Sequence, residues 1–146
     1  MSEVQTKQTD RAITIADVEA MEQTMLAMPQ VEIKARHYFS HGVCAREITI
    51  PAGTRLTGRI HKYENLNVLT RGEMSVLTEK GFERVSAGFT VVSPPGTKRI
   101  ALTHTECVWT TFLGTKSRDI EAIEAEFTAA NEQEYLTFAQ QQIEGG

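Results

Sequence analysis

Near the start of the chain, Ile15, Val18, Met21, Met25 and Met28 recur at three- and four-residue steps. That spacing predicts one apolar stripe on a short helix over Ile15–Met28. Thr14 is placed to cap it, with Asp17 three residues on, and Pro29 ends it. The residues before it, 1–12, are polar and read as an unstructured tail. From Val31 to Leu113 the pattern changes to short β-branched runs between turns. Ser40-His41-Gly42 separates VEIKARHYF from VCAREITI. Pro51-Ala52-Gly53, Thr70-Arg71-Gly72, Glu79-Lys80-Gly81, Ala87-Gly88 and Pro94-Pro95-Gly96 supply the later turns. Such spacing predicts an all-β sandwich or barrel. From Asp119 to Ile143 a helical period returns in a segment rich in Glu, Ala and Gln. Ile120, Ile123 and Phe127 share one face; Tyr135, Leu136, Ala139 and Ile143 share a second, with Asn131 marking a bend. The expected organisation is a tail and helix over 1–30, a barrel over 31–113, and a helical extension over 114–146. The extension is expected to lie on the barrel or on a neighbouring subunit.

Composition narrows the functional classes. The 146 residues suit one domain with a core of its own, and the formal charge is −4. That balance gives no electrostatic case for nucleic acid or an anionic membrane. No apolar run has the length of a membrane span, and the polar N-terminus lacks the apolar core of a signal peptide. Cys44 and Cys107 are far apart and form no metal or redox motif, so two buried free thiols in a reducing cytoplasm are expected. No nucleophile elbow, HExxH, GxGxxG or phosphate loop occurs; the Ser93–Lys98 segment lacks the spacing of the last.

Two spaced motifs carry the sharpest information. Gly53, Arg59, His61, Asn65 and Gly72 read G-x5-R-x-H-x3-N-x6-G, and Gly88, Pro94, Gly96, Arg99 and Thr103 read G-x5-P-x-G-x2-R-x3-T. These resemble the two signature motifs of the cupin superfamily, with every glycine and the proline in place. The resemblance implies a mainly β fold, a single cupin (double-stranded β-helix, or jelly-roll) barrel with a short N-terminal helix and the C-terminal helical extension. It also implies that Arg59, His61, Asn65 and Arg99 occupy the positions of the usual metal ligands, three His and one Glu. Only His61 of that set remains. The stretches around His61–Asn67 and Ser93–Arg99 are similar to small bacteriophage- and prophage-encoded cupin-like proteins without an assigned activity. Those proteins often carry His where this chain has Asn65.

Strand alternation puts Arg59, His61 and Tyr63 on one face, and the resemblance turns that face into the barrel. Trp109, in the last barrel strand, reads either as core or as part of a ligand-binding wall. This set does not suit a cation, because a protonated guanidinium has no lone pair and one imidazole is not a site. It does suit an anion, since guanidinium forks match carboxylate and phosphate. Balance for the arginines comes either from a bound ligand or from an internal acid, with Glu47, Glu64 and Glu73 as candidates. Alternatively, one arginine extends out through the mouth. His37 and His41 flank a hairpin turn and read as solvated.

The leading expectation is a cytoplasmic protein, without metal or other cofactor, that binds a small anionic and possibly nucleotide-like ligand through Arg59, His61, Tyr63, Asn65, Arg99 and Trp109. Catalysis is not required by anything in the sequence. The alternatives are a metal enzyme with a rearranged site of His61, Glu64 and His104, and an oligomeric assembly protein acting through its amphipathic ends. A homo-oligomer is expected in every case.

Overall fold

The computed structural model describes residues 33–78 and 80–145, together with Gln23. The helix expected over Ile15–Met28 therefore lies outside the described residues, apart from Gln23, which is helical. The described chain runs β1 (Lys34–Ser40), β2 (Val43–Ile50), β3 (Arg55–Thr57), β4 (Ile60–His61), β5 (Asn65–Arg71), β6 (Glu73–Thr78), β7 (Gly81–Ser86), β8 (Thr90–Ser93), β9 (Ile100–Thr103) and β10 (Cys107–Gly114). Helix α1 (Ile120–Phe127), the two-residue strand β11 (Thr128–Ala129) and helix α2 (Glu132–Gly145) follow.

The strands form a five-stranded sheet in the order β1-β2-β10-β5-β8, a four-stranded sheet in the order β3-β9-β6-β7, and the β4–β11 ladder. All pairings are antiparallel. Only β1–β2 and β6–β7 join consecutive strands; the other neighbours in the two main sheets are distant in sequence, as in a jelly-roll barrel. Ile48, Ile50, Leu69, Met74, Val76, Ala101 and Cys107 pack between the two main sheets. A second cluster, Cys44, Leu113, Ile123 and Phe127, joins the barrel to α1. Both cysteines are free and buried, and burial pushes both thiols up from their ordinary pKa.

The spaced glycines serve tight reversals. Gly72 has φ of 89°, and a Cβ there would lie 2.2 Å from the Glu106 carbonyl oxygen. Only glycine can carry the chain past the start of β10 at that distance. Thr103, at the last position of the second motif, ties the barrel end together: its Oγ1 donates to the Pro51 carbonyl at 2.6 Å and accepts from the Thr54 N–H at 2.9 Å.

The C-terminal segment departs from simple helical packing. Asp119 caps α1, its carboxylate accepting the Glu121 N–H at 3.1 Å. After α1 the chain returns to strand conformation and pairs Thr128 with His61 and Ala129 with Ile60. Lys62 fixes the junction. Its backbone N–H donates to the Phe127 carbonyl at 2.8 Å and its ammonium to the Ala125 carbonyl at 2.9 Å. The last turn of α1 has no basic residue of its own, so Lys62 supplies the cation that the helix dipole favours there. On α2 the packed residues are Tyr135 and Phe138. Phe138 meets Tyr63 edge-on at 5.3 Å, and Tyr135 covers Gly96. Of the face expected from Tyr135, Leu136, Ala139 and Ile143, Tyr135 and Ala139 are half-buried, whereas Leu136 and Ile143 are 51% and 76% exposed.

Candidate functional site

Strand alternation builds a cavity of about 270 Å³ inside the barrel, closed on one side by α1 and β11. On β2 the inward positions are Cys44, Arg46, Ile48 and Ile50. The register aligns these with β10 and β5 in tiers. Arg46 is opposite Thr111, which is opposite Asn67. One step along, Ile48 is opposite Trp109, which is opposite Leu69. One step the other way, Cys44 is opposite Leu113, in the cluster with Ile123 and Phe127. The wall is thus a polar belt between an apolar floor and an apolar roof.

The belt is hydrogen-bonded through side chains. Asn67 Nδ2 donates to Asn65 Oδ1 at 2.7 Å and to Ser93 Oγ at 3.0 Å, and Thr111 Oγ1 donates to Asn67 Oδ1 at 2.7 Å. Asn65 Nδ2 donates in turn to the Tyr63 carbonyl at 3.2 Å. Arg99 Nη2 donates to Ser93 Oγ at 2.7 Å, and its Nη1 to the Leu77 carbonyl at 2.8 Å. Satisfied buried networks of this kind rigidify a wall. Asn65 and Arg99 therefore face the cavity while their polar atoms help hold the barrel together.

Of the six residues expected at the site, Arg59, His61, Asn65, Arg99 and Trp109 line the cavity. Tyr63 does not. Strand β4 ends at His61 and the chain bends at Lys62 and Tyr63, which breaks the alternation that would have carried Tyr63 inward. Its ring instead packs edge-on against Phe127 at 5.6 Å and Phe138 at 5.3 Å. Arg59 is exposed, so it serves the cavity from its mouth. His37, read from sequence as solvated, is half-buried and lines the cavity, because its β1 position points inward opposite Arg46.

Two residues that sequence reasoning missed complete the electrostatics. Arg46 lies in the belt, and burial lowers its pKa; Glu124 raises it in part and Arg59 lowers it further. Glu124 reaches the cavity from α1, on the face that also carries Ile120 and Phe127. Among the described residues the acid that offsets Arg46 is therefore Glu124. Glu47 lies opposite Arg36 on the outer face, Glu64 is exposed, and Glu73 pairs with Arg84. His61 is held below the usual histidine pKa by burial, then by Arg46 and Arg99, which favours the neutral ring. Its Nδ1 is buried without a hydrogen-bond partner among the described residues.

The donor set does not fit a transition-metal ion. Guanidiniums at two ligand positions offer no lone pair, and Asn65 is bonded to the protein. His104 bonds Ser75 at 2.8 Å and does not line the cavity. Among the described residues no three His, Cys, Asp or Glu side chains gather where one cation could meet them. No helix among the described residues is long and apolar enough to cross a membrane.

No protein-family model and no curated protein matches the sequence. Solved structures do. Salicylate 1,2-dioxygenase from Pseudoaminobacter salicylatoxidans aligns with 68% of this chain and 32% of its own, at 13% identity and a TM-score of 0.51. KdgF from Halomonas sp. matches at 18% identity over 61% of this chain and 86% of its own, with a TM-score of 0.49. A cupin domain from Bordetella pertussis matches at 18% identity over 61% and 99%, with a TM-score of 0.47. At such identities the likeness speaks for the fold alone: this chain folds as a cupin barrel.

Proposed function

We propose that the protein is a small-molecule-binding cupin-fold protein whose barrel receives a carboxylate- or phosphate-bearing ligand without a metal and without turnover. One observation carries this reading. Among the described residues lining the cavity, Arg46 in the wall and Arg59 at the mouth share a single carboxylate, Glu124, which leaves one positive charge over among these three groups. Excess positive charge between apolar walls is costly unless an anion balances it. Arg46 in the belt and Arg59 at the mouth are placed to clamp the charged group, and the His61 ring lines the same wall. Arg99 contributes charge more than contact, since its terminal nitrogens bond Ser93 and Leu77. The resemblance to phage-encoded proteins supports a setting in a bacterial host cytoplasm.

The test is calorimetric titration of acetate and of inorganic phosphate, against chloride, into wild type and Arg46→Met. Saturable binding by wild type that Arg46→Met loses is the expected result. Equal heats from both proteins would count against the clamp.

A second reading, self-association, is favoured by a separate observation. Tyr38, Ala45, Phe112, Leu66 and Val92 are successive cross-strand partners over all five strands of the larger sheet, on its outer face. Tyr38 is 51% exposed, Leu66 39% and Val92 54%. An apolar row of this length on an outer face is suited to a second copy of the chain.

A further inference from the structure

The tiers of the cavity wall point to the chemical class of the ligand, an inference that rests on the anion-binding reading above. The tiers gather the polar groups of β2, β5 and β10 into the belt, with Arg59 at the mouth. The floor, with Ile48, Leu56, Met74 and Trp109, offers carbon and one indole ring. A ligand whose charged group sits beside Arg46 and His61 therefore directs the rest of its body toward apolar surface. A sugar or nucleobase directed there would leave its hydroxyls, amines and ring nitrogens unpaired. A hydrocarbon body would gain from the same surface. The cavity is also small, near the lower end for sites that enclose a small molecule. We propose that the ligand is a compact amphipathic acid: one carboxylate at the belt, with an aromatic or branched aliphatic body against Trp109 and the floor. A nucleotide-like ligand is disfavoured on the same grounds.

Trp109 is the only tryptophan of the chain and lines the cavity, so its fluorescence reports occupancy directly. The experiment titrates acetate, inorganic phosphate, phenylacetate, phenylacetamide and adenosine monophosphate into wild type, followed by calorimetry and by Trp109 emission. Phenylacetate should bind at least about tenfold more tightly than acetate, the gain expected from burying its ring. It should also shift Trp109 emission, and phenylacetamide, lacking the charge, should bind more weakly than phenylacetate. Leu56→Asn, at a half-buried floor position, should bring phenylacetate affinity back toward that of acetate. If acetate, phosphate and phenylacetate bind alike, or if the nucleotide binds most tightly, the amphipathic-acid proposal is overturned while anion binding stands. If no anion binds, both fall. The wild-type series decides even if Leu56→Asn fails to fold.

Discussion

Replacing Glu124 with Gln removes the carboxylate that, among the described residues, offsets Arg46, while keeping the side chain's size. With Glu124 neutral, Arg46 keeps its burial and its repulsion from Arg59 and loses the larger of the two contributions that offset them, leaving the smaller one from Cys44. Removing one partner of a fully buried pair costs about 3–5 kcal/mol. Arg46 and Glu124 are half-buried, so the expected loss is smaller, about 1–3 kcal/mol. For a chain of this length that corresponds to a fall in Tm of roughly 3–9 °C. Arg46→Met removes the buried charge itself and is expected to be neutral or stabilising, as when apolar groups replace buried ions. In that background Glu124→Gln should cost little, because the cation it balanced has gone. The assay is a double-mutant cycle read by reversible thermal or urea unfolding, in buffers without organic or phosphate anions. Addition of an anion that binds the cavity should restore more of the lost stability to Glu124→Gln than to wild type. A Glu124→Gln protein as stable as wild type, or one destabilised equally with and without Arg46, would refute the assignment of Glu124 as the internal counter-charge.

Further outcomes follow from other parts of the molecule. Gly72→Ala forces a Cβ against the Glu106 carbonyl at a positive φ, and should cost about 3 kcal/mol or more in urea unfolding. His61 has a folded-state pKa below its unfolded value, so the unfolded chain takes up the proton first as pH falls. Stability should therefore be full above about pH 6.5 and decline below it, with less decline in His61→Gln, as measured by Tm against pH. His37, lowered by burial and by Arg46, contributes in the same direction. A bound anion beside His61 offsets the field of the arginines, so anion affinity should rise as pH falls toward and below about 6.5 and proton uptake should accompany binding in calorimetry. Leu66→Lys with Val92→Lys places two cations in the apolar row of the outer sheet face. If self-association uses that face, wild type should sediment as an oligomer and the double variant as a monomer, with Tm nearly unchanged.

The barrel was readable in the sequence because its turns are chemically specific. Gly53, Gly72, Gly88 and Gly96 all have positive φ, and few residues but glycine tolerate that conformation, so their spacing survives where the ligand positions have changed. The site was readable only where it coincided with that spacing. Arg46 lies outside both motifs, yet its signal was present: in VCAREITI the alternate positions Cys44, Ile48 and Ile50 are apolar, and Arg46 breaks their series on the inward face. Glu124 was hidden for a different reason. Ile120, Glu124 and Phe127 share a helix face, but an acid among apolar residues on an amphipathic helix reads as an edge residue until the helix is known to cover a cavity. Tyr63 shows the opposite failure, since alternation extrapolates beyond the end of a strand only two residues long. Strand β11 left no readable trace, because two residues give no period, and Thr128–Ala129 is a strand only because β4 lies beside it.

The β4–β11 ladder bears on the order in which this chain can acquire its site. Arg46 and His61 belong to the barrel, whereas Glu124 and the roof residues Ile123 and Phe127 arrive on a segment that follows every strand of both main sheets. A chain emerging from the ribosome can pair β1 through β10 while its cationic belt is still open to water, where three guanidiniums cost little. Docking of α1 then dries the belt and delivers its counter-charge in one event, secured by Lys62 and a ladder of two residues. An acid present during that event would be enclosed as the roof comes down, whereas one arriving later must enter past Arg59 at the mouth. If the barrel binds an acid as proposed, its occupancy would depend on the timing of synthesis as well as on equilibrium affinity.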